Sequence, residues 1–319
     1  MLRTVNTAIE IWREASFPTL VRIFENIAIV RMVLIDNAGV QRGLVRRRYW
    51  HALSLLVLLA SSLHAQQISP VGALQRALSG SQASSVVLDQ ATGAVLARAG
   101  KQRSALLGSA IKPLLLEFAL EHGIVRADTE VYCRRNLYIA GHALACTHPA
   151  DRPVFTAERA LAESCNTWFA EMGRRFTGEE LEAALREWAL PHRPMTTGSL
   201  DERRLAVLGL LGVTASPLQL ARAYRELLAR VPADGVVQRG LQGSVSYGMA
   251  RPATVSGINI LGKTGTARDP GETWTHGWFV GAIPNRLVIV VYVPHGDGGT
   301  AAKLARGFLA NFGSQRAVR

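Results

Sequence analysis

The run Ser109-Ala110-Ile111-Lys112 is followed along the chain by Ser164-Cys165-Asn166 and then by Lys263-Thr264-Gly265. Written as patterns, the three runs are S-x-x-K, S-x-N and K-T-G. Each pattern alone is weak evidence, because serine and lysine also occur at helix starts, in loops and at strand ends without any catalytic role. In this order and in these contexts, the three runs predict one active site assembled from three distant parts of the chain.

The first run has the properties of a nucleophile and its base. Ser109 opens an apolar segment that extends through Leu120 and predicts a buried helix starting at Ser109. A serine at a helix N-terminus lies beside unpaired backbone N–H groups, and the helix dipole favours developing negative charge there. Lys112 lies one turn later on the same face. We predict Ser109 as nucleophile and Lys112 as base, provided that burial or a second cation such as Lys263 keeps Lys112 neutral.

The second run supplies polar groups suited to proton relay and substrate binding. The Ser164 hydroxyl both donates and accepts hydrogen bonds, as a relay to a leaving amine requires, and we predict it to be catalytic. The Asn166 amide is predicted to hold a substrate carbonyl or the lysine. Cys165 is predicted to point elsewhere and pack in the interior, as free cysteines usually do.

The third run is predicted to end an apolar strand at the edge of a sheet, where backbone groups can pair with an extended peptide. Lys263 and the Thr264 hydroxyl are predicted to bind the substrate's terminal carboxylate. Gly265 removes a side chain where the substrate must approach. The backbone N–H groups of Ser109 and Thr266 are the predicted oxyanion hole.

Apolar patterning places these runs in an α+β fold. Residues 84–89 and 94–97 are apolar runs around a turn with Gly93, which predicts a β-hairpin. Helical spacing extends over residues 157–174, 178–188, 203–211 and 217–229. Runs rich in β-branched residues follow at 257–265, 277–283 and 286–294, and an amphipathic helix closes the pattern at 300–312. The order predicts one antiparallel sheet of about five strands flanked by helices, with an all-helical lobe inserted in the middle.

The N-terminal part has the character of an export signal. Arginines at 46–48 precede an apolar stretch at 52–63, and Ala65 is a suitable cleavage residue, so residues 1–65 are predicted to be an extension with a signal peptide or an uncleaved anchor. Because signals lie near an N-terminus, we expect the true start at Met32 or later. Residues 66–82 are predicted to be a linker running into a helix, and 83–319 the functional domain. The expected location is periplasmic, or anchored at the outer face of the cytoplasmic membrane.

Composition excludes some other classes. The net charge is +12, but no basic run is interleaved with aromatic residues, so a nucleic-acid partner is not predicted. The three cysteines, Cys133, Cys146 and Cys165, lack the spacing of zinc motifs, the histidines are scattered, and we predict neither metal nor cofactor. A Cys133–Cys146 disulfide and free thiols are both compatible with the spacing.

Several further stretches, with the three runs, resemble the transpeptidase domain of penicillin-binding proteins, in the serine D,D-peptidase and β-lactamase superfamily. The resemblance covers residues 83–312 and includes 86–97, 108–113, 160–170, 213–221, 262–267 and 277–281. It implies a β-lactamase/transpeptidase-like fold and a D,D-transpeptidase acylated through a serine by the D-Ala-D-Ala end of peptidoglycan stem peptides. It also implies binding of β-lactams and partner proteins of cell-wall synthesis.

Three alternatives stay open from the sequence. A D,D-carboxypeptidase, or a transpeptidase that needs a partner, is consistent with the short stretches from Gly93 to Ser109 and from Ser164 to Lys263 and with the expected lack of a glycosyltransferase domain. A serine β-lactamase is disfavoured because the Glu-x-x-Leu-Asn run of one class has only a partial echo at residues 182–186, and Met249 replaces the asparagine of the Tyr-Gly-Asn run of another. A non-catalytic β-lactam sensor or wall-binding module is disfavoured because every side chain needed for acylation is present.

Overall fold

The computed structural model describes residues 69–312 of the 319-residue chain. The predicted extension and signal peptide or anchor, residues 1–65, lie outside the described residues. Among the helices of the described range, none combines the length and apolar character that crossing a bilayer requires.

The secondary structure alternates short strands and helices before a final run of long strands. The helices are α1 (Pro70–Leu78), α2 (Lys112–Glu121), α3 (Ala157–Ala162), α4 (Asn166–Arg175), α5 (Gly178–Glu187), α6 (Leu200–Val207), α7 (Pro217–Arg230), α8 (Val236–Ser246) and α9 (Gly298–Phe312), with 3-10 turns at Gly108–Ile111 and Arg251–Ala253. The strands are β1 (Ser84–Asp89), β2 (Val95–Ala99), β3 (Ala105–Leu106), β4 (Val131–Tyr132), β5 (Tyr138–Ile139), β6 (His142–Ala143), β7 (Val154–Phe155), β8 (Thr214–Ala215), β9 (Leu261–Ala267), β10 (His276–Ile283) and β11 (Leu287–Val293).

The main sheet has five antiparallel strands in the order β2-β1-β11-β10-β9, which confirms the predicted fold class. The hairpin β1–β2 and the three-stranded meander β9–β10–β11 are joined by the pairing of β1 with β11. The turn between β10 and β11 contains Asn285 at a φ of 61°, a left-handed conformation that asparagine tolerates. Strand β9 is one edge of this sheet, as the position of the third run predicted.

Both faces of the sheet are buried, because successive residues of each strand point to opposite sides. Val86, Leu88 and Val290 face the helical lobe. Val87 and Ile289 face a second apolar cluster formed with α1 and α9. The long strands therefore consist of nearly continuous apolar residues rather than an alternating pattern.

Helix α1 lies inside the segment that was predicted to be a linker running into a helix. Ser69 caps it, with its hydroxyl accepting from the Gly72 N–H at 3.1 Å, and Pro70 stands at the first helical position. Leu74 is buried against the same apolar cluster as Phe308 of α9. The folded unit thus begins before residue 83, because α1 covers apolar surface of the sheet and α9.

Four other features differ from the sequence prediction, and the first is that the inserted lobe is not all-helical, because it contains the paired strands β4–β7 and β5–β6. The predicted helix 157–174 is broken into α3 and α4 around Ser164, and α8 was not predicted. The predicted strand at 257–265 is shifted toward the C-terminus, so Lys263-Thr264-Gly265 lie in the middle of β9. The shift follows from pairing with β10, which extends to Ala267 opposite His276.

Candidate active site

Ser109 lies in the 3-10 turn Gly108–Ile111, directly before α2, so the helix opens with a tighter turn than the predicted α-helical start. Gly108 has a φ of +51°, and its N–H donates to the Gly209 carbonyl at 2.9 Å. A Cβ at position 108 would lie 2.3 Å from the Thr266 carbonyl oxygen. Glycine is therefore required for β9 to pass directly beside the turn that carries Ser109.

Three aromatic side chains donate hydrogen bonds to the backbone around this turn. None of them was given a role in the sequence analysis. The Leu106 carbonyl accepts from Trp278 Nε1 at 2.8 Å and from His276 Nε2 at 2.7 Å. Tyr224 Oη donates to the Ala110 carbonyl at 2.6 Å. All three side chains are buried. They fix the backbone on both sides of Ser109, and only structure places them there, because they lie more than one hundred residues away along the chain.

Ser164 occupies the left-handed end of helix α3. Its φ is +58°, its N–H donates to the Leu161 carbonyl, and the Cys165 N–H donates to the Ala160 carbonyl. This is the Schellman arrangement, in which glycine usually takes the position held by Ser164. A non-glycine residue at positive φ is strained, and such strain is typical of functional positions. The break turns Ser164 and Asn166 toward the lysines.

Two buried lysines meet at the second run. Lys112 Nζ donates to Asn166 Oδ1 at 2.8 Å and to the Ser164 carbonyl at 3.0 Å, and lies 3.4 Å from Ser164 Oγ. Lys263 Nζ donates to Ser164 Oγ at 2.8 Å and to the Thr264 carbonyl at 3.0 Å. Both lysines have no exposed surface. The structure thus brings four predicted site residues into direct contact: Lys112, Ser164, Asn166 and Lys263.

Burial changes the protonation of both lysines. Desolvation lowers the pKa of Lys112 to about 8. Desolvation and then the charge of Lys112 lower the pKa of Lys263 well below its ordinary value. A neutral amine has two N–H bonds and one lone pair. With both N–H bonds of Lys112 donated to the Asn166 amide and the Ser164 carbonyl, its lone pair is left to accept a proton.

Strand β9 brings the third run against the nucleophile turn through backbone contact. A Cβ at Gly265 would lie 2.4 Å from the Leu107 carbonyl oxygen and 2.8 Å from the Ala110 nitrogen. Thr264 is mostly buried, whereas Thr266 is exposed and its Oγ1 accepts from the Gly298 N–H at 3.0 Å. The Lys263 amine faces Ser164. That it binds the terminal carboxylate of the substrate stays a prediction.

The three cysteines are free thiols, so the Cys133–Cys146 disulfide is not formed. They come together beside the second run: Cys146 Sγ lies 3.9 Å from Cys165 Sγ, and Cys133 Sγ lies 3.4 Å from His148 Nε2. The sequence interpretation missed this cluster, because its members are spaced irregularly and meet only after folding. Cys165 is fully buried, as predicted.

Glu182, the glutamate of the partial match to a β-lactamase motif, makes structural contacts within the helical lobe. Glu182, on α5, accepts from Arg186 Nη1 at 3.0 Å and from the Met195 N–H at 3.2 Å. These contacts hold α5 to the loop that follows it. Glu182 is therefore engaged in local structure within the helical lobe.

The chain is similar to known proteins both in sequence and in fold. A family model described as the penicillin-binding protein transpeptidase domain matches residues 83–310. The chain is 26% identical over 212 residues to peptidoglycan D,D-transpeptidase PbpA of Mycolicibacterium smegmatis, and the alignment covers 50% of this chain and 42% of that protein. This chain therefore corresponds to less than half the length of that relative.

Solved structures share the fold at low sequence identity. The D,D-transpeptidase domain of a peptidoglycan glycosyltransferase from Eggerthella lenta matches with a TM-score of 0.66 at 21% identity, over 76% of this chain and 80% of that one. The transpeptidase domain of penicillin-binding protein 3 from Burkholderia pseudomallei matches with a TM-score of 0.65 at 20% identity, over 76% and 90%.

Proposed function

Since the chain belongs to the family of penicillin-binding protein transpeptidase domains, we propose that it is a serine D,D-transpeptidase of cell-wall synthesis. Its proposed substrates are peptidoglycan stem peptides ending in D-Ala-D-Ala, and β-lactams are proposed to acylate the same serine. The observation that carries the proposal is the buried contact of Lys112 with Asn166 and Ser164, next to the turn that presents Ser109.

In the proposed acylation step, Ser109 Oγ attacks the carbonyl carbon of the penultimate D-alanine while its proton passes to the lone pair of neutral Lys112. The orientation of Lys112 supports this role, because both of its N–H bonds are already donated. The negative charge on the substrate oxygen is proposed to be stabilised by the backbone N–H groups of Ser109 and Thr266. The closeness of β9 to the Ser109 turn supports that pairing.

The leaving D-alanine amine needs a proton, and we assign its delivery to Ser164. The Ser164 hydroxyl lies between the two lysine amines, at 3.4 Å from Lys112 Nζ and 2.8 Å from Lys263 Nζ. A proton taken up by Lys112 can therefore reach the amine through Ser164. Lys263 holds the Ser164 hydroxyl by donating a hydrogen bond to it, and together with Thr264 it is proposed to bind the substrate carboxylate.

The acyl group is proposed to pass to an amine of a second stem peptide, which forms the cross-link. Transfer to water instead would make the protein a D,D-carboxypeptidase, and rapid hydrolysis of penicilloyl-Ser109 would make it a β-lactamase. The local contacts of Glu182 support slow hydrolysis, because this carboxylate is bonded to Arg186 and Met195. Partner proteins of cell-wall synthesis are part of the proposal.

Covalent labelling with a fluorescent penicillin tests the proposal. We expect stoichiometric labelling of the purified chain, none in Ser109→Ala, and full labelling in the matched control Ser104→Ala, which changes an exposed serine just before β3. Incubation with a D-Ala-D-Ala peptide donor and an amine acceptor then separates the fates of the acyl group by product analysis. An unlabelled wild-type chain would refute the acyl-serine mechanism, and rapid release of the label would indicate a β-lactamase.

We also propose that the protein acts outside the cytoplasm, either in the periplasm or anchored at the outer face of the cytoplasmic membrane. The basic and then apolar stretch at residues 46–63 and the extracytoplasmic location of the proposed substrate support this. Fractionation of the native host, with N-terminal sequencing of the mature chain, is the test. Recovery of the chain in the cytoplasmic fraction would contradict it.

A further inference from the structure

A second cluster of chemically active side chains lies around Cys165, the middle residue of the second run. It consists of the thiols of Cys133, Cys146 and Cys165 and the imidazole of His148. One donor atom from each lies within 4.8 Å of all the others, and every member is at least nine-tenths buried. The acyl-transfer mechanism uses none of these four groups.

Two of the six pairs of donor atoms have the spacing of ligands around a tetrahedral zinc ion. Zinc binds thiolate sulfur at about 2.3 Å and imidazole nitrogen at about 2.0–2.1 Å, so a tetrahedron has edges of about 3.8 Å between sulfurs and about 3.5 Å between sulfur and nitrogen. The Cys146–Cys165 sulfur distance is 3.9 Å, and Cys133 Sγ lies 3.4 Å from His148 Nε2. These two edges fit, and the other four pairs of donor atoms lie within 4.8 Å of each other.

The imidazole of His148 is oriented as a metal ligand usually is. Its Nδ1 lies 2.9 Å from the Pro149 carbonyl oxygen and 3.8 Å from Glu163 Oε2. Donation from Nδ1 to an oxygen fixes the tautomer and leaves the lone pair of Nε2 directed at Cys133. The tilted ring of Phe155 lies 4.4 Å from the imidazole and screens it with apolar surface.

The segment that carries three of the four groups, residues 131–155, is here called the cysteine loop. Arg135 braces it: the guanidinium donates to the His148 carbonyl at 2.8 Å and to the Cys146 carbonyl at 3.3 Å. The Arg135 N–H also donates to Cys133 Sγ at 3.4 Å, from a backbone with a φ of 62°. Arg135, a residue with a strained backbone, therefore fixes the positions of Cys133, Cys146 and His148.

We propose that Cys133, Cys146, His148 and Cys165 bind one zinc ion in a structural Cys3His site. Three thiolates and one imidazole form a donor set that zinc prefers, and four protein ligands leave no open position for catalysis. The ion would join the cysteine loop to the backbone between Ser164 and Asn166. Its role is to hold those two residues in register with Lys112, and the binding itself does not depend on the proposed acyl transfer.

Another group of possible ligands in the described residues, Asp269, Glu272 and His276, does not compete for this assignment. Its carboxylates are ion-paired with Arg103, whose Nη2 lies 3.2 Å from Asp269 Oδ2 and 2.5 Å from Glu272 Oε1. The Asp269 carboxylate also accepts from the Leu106 N–H at 2.9 Å. These residues form an ion-pair network with Arg103.

Metal analysis of the full-length chain, purified without a histidine tag or chelator in the presence of a reductant, is the direct test. We expect about one zinc ion per chain. Cys133→Ser and His148→Ala each remove a direct ligand and should lower the zinc affinity, measured by competition with a chelator, by at least the ~10–100-fold that loss of an outer-shell partner costs. The control His142→Ala removes an exposed histidine of the same loop and should retain the ion. Cobalt substitution should give the visible absorption of a tetrahedral thiolate site.

Measurements on the wild-type chain keep the test decisive if the ligand variants do not fold. A strong chelator should lower the melting temperature, and added zinc should restore it. Ser109→Ala should keep its zinc, which separates a failure of acylation from a failure of metal binding. A wild-type chain that binds no zinc after reduction and zinc addition would overturn the proposal. So would a native Cys146–Cys165 disulfide, found by mass spectrometry in place of the metal.

Discussion

The two sides of the tripeptide Ser164-Cys165-Asn166 are built in different ways. On one side, Ser164 and Asn166 contact lysines that come from a helix, α2, and from a strand of the main sheet, β9. On the other side, Cys165 meets side chains of the cysteine loop, whose only regular structure is the paired strands β4–β7 and β5–β6. The lysines of the proposed acyl transfer thus lie on regular elements, whereas most ligands of the proposed zinc site lie on a loop.

This difference separates two kinds of defect. A change on the lysine side should alter reactivity while the fold persists, because the main sheet and α2 have large apolar contacts of their own. A change on the cysteine side should first alter stability and metal content, because the loop has little regular backbone pairing. The predictions below test this division, in order of expected effect.

The largest effect is expected from Lys112→Met, which removes the proposed base and keeps the apolar stem. Acylation by penicillin should fall by about 10²–10⁴-fold, the usual contribution of a positioned general base. The melting temperature should fall only modestly, because the saved cost of burying the amine offsets part of the loss of its hydrogen bonds to Ser164 and Asn166. Labelling kinetics and a thermal melt of the same sample give both readouts, with Cys146→Ser as the comparison from the other side. A Lys112→Met rate within tenfold of wild type would assign the base elsewhere.

The pH dependence of acylation should report the same lysine. Only neutral Lys112 accepts the serine proton, and burial lowers its pKa to about 8. The second-order rate constant of labelling should therefore rise about tenfold per pH unit below that value and level off above it. Labelling between pH 6 and pH 9.5 at constant ionic strength measures this. A flat profile over that range would mean that the proton goes to another group.

A smaller effect is expected where strand and nucleophile turn touch. Gly265→Ala places a Cβ 2.4 Å from the Leu107 carbonyl, so the backbone must move, at a cost of about 1–3 kcal/mol. The matched control is Gly307→Ala in α9, where the Cβ meets Ala77 at 3.4 Å and the substitution should stabilise by about 0.5–1 kcal/mol. Denaturant titrations of both variants measure whether the free energy of unfolding falls in Gly265→Ala and rises in Gly307→Ala. Equal stability of the two would show that β9 and the turn are not held in this close contact.

Much of the lysine side could be predicted from the sequence. The family resemblance and the five-stranded sheet are both confirmed. They could be predicted because the long apolar strands and the residues around Ser109 form recognisable patterns in the sequence. The cysteine side could not be predicted, because Cys133, Cys146 and His148 have no regular spacing and meet Cys165 only through the fold of a loop. Contact between distant irregular segments leaves no periodic signal.

Helix α8 and the break at Ser164 were missed for a related reason. Gly240 and Gly243 give the α8 sequence low helix propensity, so the helix exists because it packs on α3. A Cβ at Gly240 would lie 2.8 Å from Leu161 Cδ2, which shows how close that packing is. Ser164 adopts a conformation that normally indicates glycine, and a serine gives no such indication in the sequence.

The smallest effect isolates that conformation. Ser164→Ala and Ser164→Gly both remove the hydroxyl and its hydrogen bond from Lys263, so both should lose acylation to a similar degree. They differ in the cost of a left-handed backbone at a φ of +58°, which is about 1 kcal/mol for alanine and close to zero for glycine. The glycine variant should therefore be the more stable of the pair in denaturant titrations, but by less than that amount, because its greater unfolded-state entropy offsets part of the relief. If the alanine variant proved equally stable, the left-handed backbone at position 164 would carry no strain. The contacts of Ser164 with the lysines and the packing of Cys165 would then fix this position without any cost in backbone conformation.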